Sequence, residues 1–275
     1  MAVVRAARAE ALIELRKVPF DEEAAWASIK ELHDPAYADA VRTGHPLSLA
    51  ASQGFTWSPR FAHSVARIWA GHLAACQLAL TEPMVLHPVS GAHHARYESG
   101  SGFCTFNFLV GGALEMSRQG LRRVAIIDLD AHPGDGTYRL SRGHDGLALF
   151  DIAGGSWVDI VNTAAIEYHV ARDAGQYEAA LQRLEPFLDQ ARPELVMYQA
   201  GMDPYERDPV GGIDGVDEEF LRRRDAHVVG AVRSRGIPLV VNLAGGYTDT
   251  AERLHLMTIR EMARDVAFSR RRRTA

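Results

Sequence analysis

The stretch Val124-Ala-Ile-Ile-Asp-Leu-Asp-Ala-His-Pro-Gly-Asp-Gly136 decides how this chain is read. Its first four residues are an apolar, largely β-branched run with no polar alternation, the pattern of a strand buried on both faces of a parallel sheet. Its second half carries Asp128, Asp130, His132 and Asp135, then breaks at Gly134 and Gly136. Carboxylates and an imidazole at the end of a buried strand are costly to desolvate unless something positive binds them. A divalent metal is the simplest such partner. The plainer alternative is a loop whose acids only cap the next helix.

Working outward, strand and helix patterns alternate on both sides of this stretch. Met84–Leu86, Leu147–Ile152, Val158–Ile160, Leu195–Tyr198 and Pro238–Leu243 read as further strands. Phe106–Arg118, Gln176–Ala191 (bent by Pro186), Asp217–Arg235 and Thr250–Phe268 read as helices. Upstream, the spacing predicts a helix over 3–17, a second from an Asp21 cap to Leu32, a short one to Thr43, a loop over Gly44–Ser58, and a helix opened by Ser58-Pro59. Alternating strands and helices imply an α/β fold with a mostly parallel sheet covered by helices on both faces.

The 275 residues carry no linker or repeat, so a single domain over 1–268 is expected, with Arg270–Arg273 in a basic tail over 269–275. A formal net charge of −5 gives no reason to expect nucleic acid as a direct partner. Two cysteines, Cys76 and Cys104, build neither a disulfide framework nor a cysteine-rich zinc site. No apolar run spans a bilayer and no secretory signal opens the chain, so a cytoplasmic protein with no membrane partner is expected.

In a parallel sheet, ligands bind beyond the carboxyl ends of the strands. Four strands here end in polar residues: His93-His94 after the first, Asp128, Asp130 and His132 after the next, then Asp203, then Tyr247. All four groups should face one crevice. Asp130, His132 and Asp203 give the three ligands a catalytic metal needs, with a position left for water. Asp128 and Asp135 remain to orient imidazoles from behind. A histidine beside that water is a candidate general base, and Tyr247 a phenol donor to a developing oxyanion. His63, His72, His87, His144, His169, His227 and His255 read as packing or surface residues. Cys104 reads as a buried small residue, and Tyr205 and Asp208 as shaping the loop after Asp203.

Six motifs in order, Gly91-Ala-His-His-Ala95, Gly102-Phe-Cys104, Asp128–Gly136, Gly201-Met-Asp-Pro204, Asp208-Pro-Val-Gly-Gly212 and Gly245-Gly-Tyr247, resemble the histone deacetylase superfamily of zinc-dependent amidohydrolases. Ile126–His132 is closest to the class IV branch and its bacterial relatives. The resemblance implies an arginase/deacetylase fold and hydrolysis of an N-acyl bond, acetyl or longer, on a lysine or other primary amine. It implies that Asp130, His132 and Asp203 hold Zn²⁺, with Fe²⁺ as the other candidate. His94 then takes a proton from the attacking water and returns one to the leaving amine. By the same resemblance His93, paired with Asp128, assists electrostatically, Asp135 orients His94, and Tyr247 polarises the acyl carbonyl. Gly102, Phe103 and Gly245 line a narrow tunnel, and a structural K⁺ lies near Asp128.

The chain departs from the family pattern in three places. Asn107 is followed by Phe108 where members usually carry Asp. The chain starts at about the helix that follows the family's first strand and His-Pro loop, so the expectation is either a more open pocket or a gap filled by another segment or by a subunit of a homo-oligomer. No rim aspartate stands between Gly44 and Pro59. Two other readings compete: a binuclear manganese ureohydrolase, which wants a carboxylate where Gly134 stands, and a non-catalytic acyl-amine binder.

Overall fold

The structure, a computed structural model, describes residues 2–156 and 159–274, with side chains to residue 267. Six strands form one sheet: β1 (Met84–His87), β2 (Val124–Asp128), β3 (Leu147–Ala153), β4 (Ile166–Val170), β5 (Leu195–Gln199) and β6 (Leu239–Asn242). Their order is β1-β6-β5-β2-β3-β4, and every pairing is parallel. β2 lies between β3 and β5, so all five of its residues are buried.

Alternation along the buried strands divides the core into two halves. Ala125, Ile127, Phe150, Val196, Tyr198 and Val241 face one layer of helices. That layer is α8 (Ala174–Leu181), α9 (Leu184–Ala191), α10 (Glu218–Ser234) and α11 (Ala251–Thr274). Val124, Ile126, Leu149, Leu195, Met197 and Val240 face the other. There lie α2 (Glu22–Leu32), α3 (Pro35–Thr43), α5 (Pro59–Ala79) and α6 (Phe108–Arg118). Outside these layers, α1 (Ala2–Ala9) packs Val3 and Ala7 against Leu256 and Ile259 of α11, while α7 (Asp135–Ser141), which follows the opening stretch, adds Tyr138 and Leu140 to the second half of the core.

Caps hold where the sequence places them: Asp21 accepts from the Ala24 amide and Ser58 from Phe61; Asp217, read as the first residue of its helix, is instead its cap and accepts from Phe220. Several boundaries differ. The first helix stops at Ala9 and not near residue 17; Ala11 takes a left-handed backbone, and Leu12 and Ile13 join the α1–α11 cluster as irregular chain. The segment 176–191 is two helices broken at Gln182-Arg183, and Pro186 sits in the first turn of α9, where it costs no hydrogen bond. A four-residue helix, α4 (Leu47–Ala50), interrupts the expected loop over Gly44–Ser58. The candidate strand Val158–Ile160 begins outside the described residues, and residues 159 and 160 are not strand; the edge position belongs to β4. The backbone of α11 runs on through the basic segment, whose side chains lie outside the described residues. No helix among the described residues is long and apolar enough to cross a membrane.

His33, fully buried between α2 and α3, ties the helical layer to the loop that carries His93 and His94. Its Nδ1–H donates to the Arg96 carbonyl at 2.8 Å, and its Nε2 accepts the Asn107 amide at 3.0 Å. Burial lowers its pKa to about 4. The unfolded chain binds a proton here at about 6.5, so as pH falls it gains protons before the folded chain does, and stability is lost between about 6.5 and about 4. Denaturant titration of wild type and His33→Gln at pH 7 and pH 5 should show wild type losing about 2 kcal/mol more than the variant over that interval. Equal losses would contradict this account of His33.

Candidate active site

The carboxyl ends of β1, β2, β5 and β6 meet at one crevice, and the chain leaving each contributes to it. Past β2, Asp130 and His132 stand where the ladder ends; past β5, Asp203 turns back toward them. His132 Nδ1 lies 3.0 Å from Asp130 Oδ1 and 2.9 Å from Asp203 Oδ2. One ligand atom from each of the three lies within 4.8 Å of the others, the only such cluster among the described residues. Backbone amides fix the carboxylates from behind: Gly245 donates to Asp130 Oδ2 at 3.1 Å, and Ala131 to Asp203 Oδ1 at 2.9 Å.

This set fits a divalent cation on electrostatic grounds. Burial pushes the Asp203 carboxyl well above the usual carboxylate range, and the charge on Asp130 pushes it further. Burial would lower His132, but Asp130 and Asp203 override it and raise its pKa to about 10. Two buried carboxylates therefore favour a positive charge at their common centre, which a divalent cation would supply.

Beside this cluster the loop after β1 turns at His93-His94, which brings the adjacent histidines to one site with ring centroids 4.0 Å apart and the planes tilted by 46°. Each is held from behind by its own carboxylate. His93 Nδ1 lies 2.8 Å from Asp128 Oδ2, and His94 Nδ1 2.8 Å from Asp135 Oδ1. The His93 pair is buried, while His94 is partly open. Burial lowers the His94 pKa, His93 lowers it further, and Asp135 opposes both. Arg96 grips the other oxygen of Asp135 through Nε at 3.1 Å and Nη2 at 3.0 Å.

A cavity of about 230 Å³ opens onto these groups, lined by Gly102, Phe103, Gly245 and Tyr247 together with Phe55 and Cys104. Gly102 is obligatory here: its φ is +49°, and a Cβ would stand 2.3 Å from His94 Cδ2. Phe55, Phe103 and Tyr247 are all substantially exposed and form an aromatic mouth, with Phe103 5.4 Å from Phe55 and 6.2 Å from Tyr247 between ring centroids. The Tyr247 amide donates to Asp208 Oδ2 at 2.7 Å, while Asp208 Oδ1 accepts from Val210 and Gly211. Asp208 thus shapes its loop, as its sequence context suggests, and also seats Tyr247.

The structure brings every sequence-predicted site residue to this crevice. Sequence reasoning missed Phe55 at the mouth, Arg96 behind Asp135, and Asp151, whose Oδ2 accepts the Gly134 amide at 2.8 Å. Asp151 was signalled by a charge inside an apolar strand. The other two had no local signal. Gly134 is closely packed: a Cβ there would lie 3.0 Å from Asp128 Oδ2 and 3.2 Å from Asp151 Oδ2, and the position itself offers no carboxylate for a second metal.

Residues 1–261 match the histone deacetylase domain family. The chain belongs to the histone deacetylase family. An uncharacterized protein of Picosynechococcus sp. is 28% identical over 258 residues, covering 88% of this chain and 82% of its own. Histone deacetylase 2 of Arabidopsis thaliana is 29% identical over 209 residues, covering 70% of this chain and 52% of its own, so the chain spans about half that relative's length. Among solved structures, the HDA15 HD domain superposes with a TM-score of 0.77 at 19% identity, covering 96% of this chain and 80% of that one. An acetylpolyamine aminohydrolase from Burkholderia pseudomallei superposes with a TM-score of 0.75 at 17% identity, covering 95% and 89%. The deacetylase family is metal-dependent, and the Asp130–His132–Asp203 cluster is where this member can hold an ion.

Proposed function

We propose that this protein hydrolyses an N-acyl amide, acetyl or longer, on a lysine or another primary amine, using one divalent metal, Zn²⁺ or Fe²⁺, held by Asp130, His132 and Asp203. One observation carries the reading: the buried two-carboxylate, one-imidazole cluster lies beside two histidines that are each backed by a carboxylate, at the wall of a cavity. When bound, the metal supplies a Lewis acid that polarises the acyl carbonyl and eases loss of a proton from water.

The chain's own residues do the rest. His94 is kept neutral by burial and by its neighbour His93, and Asp135 accepts its Nδ1–H, which leaves Nε2 free to take a proton from the attacking water. The same nitrogen returns a proton to the leaving amine. His93, anchored on Asp128, stabilises the charge that develops beside it. Tyr247 donates its O–H to the carbonyl oxygen as negative charge grows there; burial, Asp130 and Asp203 raise its pKa and keep the phenol protonated. Phe55 and Phe103 flank the entering chain and limit water.

The catalytic unit is residues 1–268. A structural K⁺ near Asp128 fits the buried Asp151 carboxylate, whose Oδ1 has no hydrogen-bond partner. Cys76 and Cys104 are buried free thiols, which suits a reducing, cytoplasmic setting. The reading is tested by amide hydrolysis that appears when stripped protein is reloaded with one metal per chain.

A further inference from the structure

A buried ion pair on α10 lies directly behind the ligand-bearing chain ends. Arg224 and Asp225 are each 1% exposed. Arg224 Nε donates to Asp225 Oδ1 at 2.9 Å, and its Nη2 lies 2.8 Å from the same oxygen. Asp225 is fixed from two further elements, accepting the Tyr198 hydroxyl of β5 and the Thr258 hydroxyl of α11, both at 2.6 Å. The carboxylate is thus fully engaged, and its guanidinium partner is aimed at the sheet.

There its remaining nitrogen, Nη1, donates to two backbone carbonyls at once: Gly201 at 2.7 Å and Leu129 at 3.2 Å. Leu129 immediately precedes Asp130, and Gly201 lies two residues before Asp203. The β2–β5 register ends at Asp128 opposite Gln199, and the last backbone bond between the two chains is Leu129 N–H to Gln199 O. Beyond that point the sheet no longer fixes the separation of the two segments. They are also tightly packed, since a Cβ on Gly201 would stand 2.7 Å from Asp130 Cα.

We infer that Arg224 is the positioning residue of the metal site, setting the spacing of Asp130 and Asp203 by tying both ligand-bearing segments to one nitrogen, with Asp225 holding the guanidinium in place. This rests on the proposed site at Asp130, His132 and Asp203. A planar guanidinium suits the task because it divides its donors between a carboxylate on one edge and two carbonyls on another, which an ammonium cannot do with the same geometry. Residues that orient ligands from behind commonly change metal affinity by about 10–100-fold when altered.

Removing Arg224 alone leaves Asp225 buried without its counter-ion, so the test uses the paired replacement Arg224→Met/Asp225→Asn, in which the Asn oxygen accepts from one of the Tyr198 and Thr258 hydroxyls and its amide N–H donates to the oxygen of the other. Arg224→Lys, which keeps the charge, is the second variant. Two quantities are read: the Zn²⁺ dissociation constant by chelator competition, and amide exchange in metal-free protein at Ala131 and Gly245, the two donors to the ligand carboxylates. Folded variants, judged by circular dichroism and thermal midpoint, should bind Zn²⁺ about 10–100-fold more weakly and exchange these two amides faster, with protection in β2 and β5 retained. Wild-type Zn²⁺ affinity and unchanged protection at Ala131 and Gly245 in either folded variant would overturn the inference. If wild type itself binds no Zn²⁺, the proposed metal site fails, and the exchange measurement still decides whether Arg224 sets the geometry of the two segments.

Discussion

Asp203→Ala is expected to abolish metal binding and lower kcat/KM for an acyl amide by on the order of 10³-fold or more, the equivalent of losing several kcal/mol of Lewis-acid stabilisation in the transition state. Asp203 is fully buried, and burial together with the charge on Asp130 raises its pKa, so its carboxylate is held at the site against its own desolvation. Its loss also takes an acceptor from the Ala131 amide and a partner from His132, so the variant is first shown to be folded by circular dichroism; the rise in thermal midpoint that Zn²⁺ gives wild type should then be absent. Elemental analysis and a Zn²⁺-dependent melt check both halves. A variant that keeps metal and activity would remove Asp203 from the site.

His94→Ala should give the complementary result: metal affinity within a few-fold of wild type, and kcat lower by about 10²–10⁴-fold. The imidazole is tied to Asp135 and only ring-packed near His132, at 5.9 Å between centroids, so its loss leaves the three ligand side chains and their amide donors untouched. Single-turnover rates and metal content measured on the same preparation separate the two effects. Loss of metal on removing His94 would reassign it from base to ligand.

These contrasts depend on a site whose outline is legible in the chain. Val124–Ile127 has no polar alternation because β2 is sandwiched between β3 and β5 with helices on both faces, and that central place is what sets Asp130 and His132 inside the crevice at the carboxyl edge of the sheet. The six motifs lie in the segments that leave four strand ends, because a parallel sheet delivers every strand's carboxyl end to one side. What the sequence conceals has physical causes. Ile166-Glu-Tyr-His-Val170 is an edge strand, half-buried along its whole length, so neither an apolar run nor clean alternation marks it. The 3–17 pattern continues beyond the real helix because Leu12 and Ile13 pack on the α1–α11 cluster without needing helical spacing.

Arg224 and Asp225 show a different failure. Read as members of the charged run Arg222–Asp225, they look like solvated surface. Their spacing from Phe220, Leu221, Val228 and Val229 nonetheless puts them on the buried stripe of α10. A charge at an apolar position of a helix was the available signal, and it marks the residue that ties together the two ligand-bearing segments. Phe55 and Arg96 reach the site from loops whose course only tertiary packing sets.

The central claim is that one metal at Asp130, His132 and Asp203 makes this crevice a deacylase. Its most direct test is the rate of acyl-amide cleavage as Zn²⁺ is added back to stripped protein, across a panel of acetyl- and longer-acyl-lysines and acetylpolyamines. At least one substrate should show turnover that rises in proportion to metal, reaches a plateau at one ion per chain, and is inhibited by a hydroxamate. Protein carrying one ion per chain that turns over none of the panel, or activity that appears only at a second ion, would contradict it.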